Sequence, residues 1–137
     1  MRSPHRPLLL ALALATPALG LSLRSHTAKA SVSIAVTWDG LLRGSAAAAI
    51  ATPVQSTAVW EDGRICTYTR VRIDRVMAGT MATGDEAWVR TLGGIVGDIG
   101  QLVEGEAALD AGRPSLLFLR SGPVGAFEVT ARGQGQF

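Results

Sequence analysis

From Arg64 to Met77 apolar or β-branched positions alternate with polar ones. Ile65, Thr67, Thr69, Val71 and Ile73 fall on one side, and Cys66, Tyr68, Arg70, Arg72 and Asp74 on the other. A period of two with β-branched residues on the inner side predicts a long, half-buried strand. Glu61-Asp62-Gly63 precedes it, and Asp-Gly suits a tight hairpin turn that needs positive φ. The partner is therefore an antiparallel strand over about Pro53 to Trp60. Ala78-Gly79 ends the long strand, and Gly84-Asp85 introduces a third over Glu86 to Leu92. Ser115 to Arg120 is a continuous apolar run, expected as a fourth strand through the core. Ser121-Gly122-Pro123 then turns into a fifth over Gly125 to Arg132.

Thr37 to Ala51 reads two ways. Trp38, Leu41, Leu42, Ser45, Ala46 and Ala49 share one helical face, Thr37 suits a cap and Asp39 a first turn. Gly40 and Gly44 each oppose a helix by about 1 kcal/mol relative to Ala. The balance predicts a short helix ending near Gly44, then an Ala-rich strand from Ser45 to Thr52 that bends at Pro53. The segment Gly93-Gly94-Ile95-Val96-Gly97-Asp98-Ile99-Gly100 follows a strand but lacks G-x-G-x-x-G spacing and opens no helix. It is expected as a crossing loop held down by Ile95, Val96 and Ile99.

The first thirty residues change the charge picture. Arg2, His5 and Arg6 form a basic start, Leu8 to Ala15 an apolar run, and small residues recur at two cleavage points, after Gly20 and after Ala30. The second is preferred, because Leu21 and Leu23 prolong the apolar stretch and Ser31 begins a new pattern. The expected domains are a signal peptide, 1–30, and a single β domain, 31–137. Leu8 to Leu23 is 16 residues, roughly 24 Å as a helix and short of a ~30 Å hydrocarbon core. No stable membrane insertion is therefore expected after cleavage, and the mature protein is placed outside the cytoplasm, periplasmic or secreted.

The whole chain has 13 basic and 11 acidic residues. Loss of Arg2, Arg6, Arg24 and Lys29 leaves nine arginines against all eleven acids, a formal charge of −2. The basic total that would favour nucleic acid then disappears, and no nucleic-acid partner is expected. His5 and His26 also go, which excludes Ser-His and Cys-His nucleophile pairs and His-containing zinc sites from residues 31–137. No metal or other cofactor is expected. Cys66 is the only cysteine, so there is no internal disulfide. It reads as a small, half-buried apolar strand residue rather than a reactive thiol or an intermolecular bridge, since no nearby Lys or His would activate it.

Among the carboxylates, the adjacent pairs Glu61-Asp62 and Asp85-Glu86 sit at turns and point apart, and Glu104 with Glu106 fits no calcium-loop spacing. They read as solvated turn acids. Tyr68, Arg70 and Arg72 share one face of the long strand, and Arg90 lies on its neighbour. Together they are the candidate ligand-binding face, with Trp60 and Trp88 beside it or capping the ends. The competing reading pairs Arg70 or Arg72 with Asp74 or Glu86 on an ordinary solvated face.

The block Trp60-Glu61-Asp62-Gly63-Arg64-Ile65, Thr67-Tyr68-Thr69, Val71, Ile73, Val76, Gly79, Gly93-Gly94 and Leu116 to Leu119 resembles a family of uncharacterised secreted bacterial proteins, over most of residues 37–137. Its layout, with Gly112-Arg113-Pro114-Ser115-Leu116-Leu117 opening the apolar strand, is distantly similar to netrin-like domains such as the tissue inhibitors of metalloproteinases. That likeness implies an OB-like barrel, so the expected fold is all-β, a small five- to six-stranded OB-like barrel with the one short N-terminal helix read from the pattern. Those inhibitors depend on paired cysteines and an N-terminal Cys, which this chain lacks, so no inhibitory residue carries over. The expected function is a non-catalytic binding module for a protein or glycan of the cell envelope. The alternatives are a small carboxylate- or thiol-dependent enzyme, or a structural envelope protein.

Overall fold

The computed structural model describes residues 34–137; the expected signal peptide, both cleavage points and Ser31 lie outside the described residues. What is described is mostly β, with one α-helix and a five-stranded sheet. The helix α1 spans Trp38–Gly44, followed by β1 (Ala47–Glu61), β2 (Arg64–Ala78) and β3 (Glu86–Leu92). Two short strands follow, β4 (Gly94–Val96) and β5 (Ile99–Gln101), then β6 (Ser115–Ser121) and β7 (Phe127–Val129).

The alternation of β2 decides which side is core. Val71 is fully buried and Ile73 nearly so, while Arg72 between them is exposed. These residues join Ala49, Ala51, Val89, Leu117, Leu119 and Val129 in the main core. The turn at Asp62 (φ 48°) and Gly63 (φ 75°) is left-handed at both positions, the geometry that matches the twist of a two-residue hairpin. β1 and β2 are antiparallel along their length, from Ala48↔Ala78 to Glu61↔Arg64. β1 has register shifts, one of them flanking Pro53, and its first third, Ala47 to Ala51, also pairs with β6. A bulge is where a strand accommodates Pro and bends.

β3 pairs antiparallel with β2, β7 runs parallel to β3, and β6 pairs antiparallel with both β7 and β1. The hydrogen-bonded order β1-β2-β3-β7-β6 therefore returns to β1. Thr37 caps α1, its Oγ1 accepting from the Gly40 amide at 3.1 Å. The single buried residue of the helix, Leu41, packs with Ala48 and Phe118 in a second cluster. At the other end of the chain Phe137 exchanges backbone hydrogen bonds with Leu116 and stacks on Trp38 at 4.9 Å between ring centroids.

Two sequence expectations need correction. The stretch from Gly93 to Gly100 is no plain crossing loop, because Gly94–Val96 and Ile99–Gln101 pair as a small hairpin. Nor is it held down by its isoleucines, since Ile95 and Ile99 are 73% and 55% exposed. Polar and backbone contacts hold it instead. Thr67 Oγ1 donates to the Gly93 carbonyl at 2.7 Å, and the Ile65 amide donates to Gln101 Oε1 at 2.7 Å. The fifth main strand is also shorter than Gly125 to Arg132. Val124 (φ 53°) precedes it, and Ala131 and Arg132, both at φ 55°, end it by leaving extended geometry.

Candidate functional site

One row of side chains crosses the outer face of the sheet. Thr57 of β1 lies opposite Tyr68 of β2, Tyr68 opposite Arg90 of β3, Arg90 opposite Glu128 of β7, and Glu128 opposite Arg120 of β6. Register alone places these groups within side-chain reach of one another. Arg90 is the centre. Its Nε donates to Glu61 Oε2 at 3.1 Å, its Nη1 to Glu128 Oε1 at 2.8 Å, and its Nη2 to Cys66 Sγ at 3.2 Å. Tyr68 donates its hydroxyl to the same Glu61 Oε2 at 3.1 Å, and Arg120 Nη2 donates to Glu128 Oε2 at 2.7 Å.

This network is half withdrawn from water. The Arg90 side chain is 12% exposed, Glu128 20% and Glu61 25%. The hydrogen bond from Arg90 holds the Glu61 carboxyl below its ordinary range against the opposing effect of burial, with Cys66 and Tyr68 adding to it. Burial works against the Arg90 charge, but the bond to Glu61 and the surrounding charges outweigh it and raise its pKa. Burial first, then the bond to Glu61, push up both the Cys66 thiol and the Tyr68 phenol. The thiol is fully buried, and burial favours its protonated form.

The other two predicted arginines are arranged differently. Arg70 lies opposite Trp88 and donates to Glu86 Oε2 at 3.2 Å and to Gln55 Oε1 at 3.4 Å, with its buried Nε left unpartnered. Arg72 Nε donates to Asp74 Oδ1 at 2.9 Å, and Thr52 donates to the other oxygen of Asp74. The Thr52 bond and then Arg72 hold Asp74 below its ordinary value. Tyr68 and Arg90 are thus brought together in register, while Arg70 pairs across to Glu86 of β3 and Arg72 with Asp74 on its own strand.

A recess flanks each end of the Tyr68–Arg90 pair. The first, about 390 Å³, is lined by Thr57, Val59, Tyr68 and Trp88 and by the β6–β7 connection at Val124, Gly125 and Ala126. The second, about 220 Å³, is lined by Arg64, Arg90, Arg120 and Arg132 together with Leu92, Glu106, Glu128 and Val129. Arg132 reaches it from strained backbone. Ala131 and Arg132 are consecutive left-handed non-glycine residues, a conformation that costs roughly 1–2 kcal/mol each. Gly133 helps hold the bend, donating to the Gly105 carbonyl at 2.9 Å.

Sequence reasoning missed Glu61, Glu128 and Arg120 as parts of this face. Glu61 was expected as a solvated turn acid, whereas it accepts from Arg90 and Tyr68 through one oxygen. The available signal was position: Glu61 is the last residue of β1, beside the turn, where it can fold back over Tyr68. Asp85 does behave as a turn acid, accepting from the Ala82 amide at 2.8 Å. No group of three or more metal-ligating side chains occurs among the described residues, and none of their helices is long and apolar enough to cross a membrane. No protein-family model, curated protein or solved structure matches this chain.

Proposed function

We propose that this is an exported, non-catalytic binding module acting in the periplasm or outside the cell, and that it recognises a protein or glycan of the cell envelope through the outer face of β2 and β3. The observation that carries the reading is the cleft of about 390 Å³ walled by Tyr68, Trp88 and Val59. Trp88 is 43% and Val59 38% exposed there, and aromatic faces with a polar tip suit sugar rings and peptide side chains alike. Tyr68 is held by Glu61, so one wall is set before a ligand arrives.

The five main strands support an OB-type barrel through their order and the parallel pairing of β3 with β7. In that architecture the face of the second and third strands, with the connection between the fourth and fifth, is where polymers bind. A cleft lined by Tyr68 and Trp88 and by Val124 to Ala126 supports that reading. Fold by itself does not assign the ligand. The burial and raised pKa of Cys66 weigh against the thiol-enzyme alternative.

Trp88 provides the test. In a Trp38→Phe, Trp60→Phe background, soluble cell-wall oligosaccharides and envelope protein fractions are titrated while Trp88 fluorescence is followed. Saturable quenching that is lost in Tyr68→Ala is the expected result. Binding unaffected by Tyr68→Ala and Trp88→Ala rejects the cleft, and turnover abolished by Cys66→Ser would restore the enzyme reading. Export is checked by N-terminal sequencing of protein from outside the cytoplasm, which should begin near Ser31; an intact Met1 in the cytoplasm overturns it.

A further inference from the structure

We infer that the recess lined by Arg64, Arg90, Arg120 and Arg132 is an anion subsite, which takes a carboxylate or phosphate group of the ligand. Residues 31–137 carry nine cations and a formal charge of −2, yet four of the nine converge on this one recess of about 220 Å³. They come from the start of β2, from β3, from β6 and from the turn after β7, so sequence proximity does not account for the cluster.

The four are not equivalent. Arg90 and Arg120 are neutralised by Glu61 and Glu128. Arg64 and Arg132 are exposed and make no ion pair among the described residues, although Glu106 lines the same recess. Two guanidinium groups are therefore left with unused donors beside a third that is held rigid. A planar fork of N–H donors matches the oxygens of a carboxylate or phosphate, and it keeps its charge at any physiological pH. The strained backbone at Ala131 and Arg132 places one of these forks, and such strain persists where the surrounding structure over-determines it.

The recess is smaller than a site for a whole drug-sized ligand, which occupies about 300–1,000 Å³. It suits a head group. The apolar cleft lies on the other side of the Tyr68–Arg90 pair, so a ligand filling both would carry an acidic group beside an apolar or sugar portion. The inference rests on the reading of this face as a binding surface, but its test does not use the aromatic cleft.

Inorganic phosphate and acetate are titrated separately into the purified protein by calorimetry at constant ionic strength, with chloride as the balancing anion. Saturable binding of either supports the subsite, and whichever binds more tightly assigns the group. Arg64→Ala with Arg132→Ala should weaken it at least tenfold, while the exposed pair Arg43→Ala with Arg113→Ala should not change it. Glu106→Gln should tighten it several-fold by removing a competing charge. Arg132→Lys, which keeps the charge but not the fork, should fall between, and matching circular dichroism shows that the variants fold. Phosphate and acetate carry no group for the aromatic cleft, so failure of the cleft and failure of the subsite are told apart. Absence of saturation by both anions, or an Arg64, Arg132 double variant that binds like the parent, overturns the inference.

Discussion

Arg90 faces Glu128 across the parallel pair β3–β7, with Nη1 2.8 Å from Oε1, and it is the residue on which the outer face depends. Removing one member of a mostly buried ion pair strands the other charge, at about 3–5 kcal/mol. Arg90→Met should therefore clearly lower stability in urea titrations, since Glu61 is left with Tyr68 alone and Glu128 with Arg120 alone. Arg120 also contacts Glu128, but its side chain is 56% exposed. Arg120→Ala should cost only about 0–1 kcal/mol. Equal costs for the two variants would mean that the network is no more than surface charge.

The strand faces make a second prediction. Ile73→Ala should cost about 2–5 kcal/mol and Val71→Ala about 1–4, from lost burial and the cavity left behind. Arg72→Ala should stay within about 0.5 kcal/mol. Arg70→Ala should be similarly mild, because its ion pair with Glu86 is half exposed and its buried Nε already lacks a partner. A one-residue slip of β2 would exchange the two sets, so equal penalties at Val71 and Arg72 would contradict the register.

Much of this frame is legible in the sequence because it is local. The alternation from Ile65 to Ile73, the Asp62-Gly63 turn, the Thr37 cap and the apolar run of β6 each follow from residues a few positions apart. The candidate face is legible only as far as one strand reaches. Tyr68, Arg70 and Arg72 share a side by period two, but the partners of Arg90 stand 29 and 38 residues away. Nothing in the pattern announces that Glu61 folds back or that β7 runs parallel to β3. The arginine recess is further removed still, since Arg132 reaches it through left-handed backbone that alanine and arginine seldom adopt.

Glycine positions separate space from strain. A Cβ on Gly135 would lie 2.1 Å from the Thr130 carbonyl oxygen, backbone that has little room to move. At Gly125 (φ 75°) a Cβ would meet nothing within 4 Å. Gly125→Ala should therefore cost only the left-handed penalty, roughly 1–2 kcal/mol. Gly135→Ala should cost more and disturb the turn that carries Arg132. Thermal unfolding of the two variants decides it, and a Gly135→Ala protein as stable as Gly125→Ala would reject the packing of the C-terminal turn.

The Arg90 network and the separate Arg72–Asp74 pair set how stability varies with pH, with opposite signs at the two ends. Glu61 and Asp74 are held below their ordinary values of 4.5 and 3.8 by hydrogen bonds from Arg90 and Thr52. Below those values the unfolded chain takes up protons more readily than the folded one. Their contribution is thus complete above about pH 4.5 and is lost as pH falls through the depressed folded values. Cys66 and Tyr68 are raised above 9.0 and 10.0, mainly by burial. Above these values the folded state keeps a proton that the unfolded state releases, so stability declines as pH rises from about 9. Urea midpoints across this range should give a plateau with a fall on each side. Cys66→Ala should flatten the start of the alkaline fall and, because Cys66 helps to lower Glu61, trim the acid limb slightly, while Asp74→Asn should reduce the acid limb alone. An alkaline limb unchanged in Cys66→Ala would show that the thiol does not titrate as its burial requires.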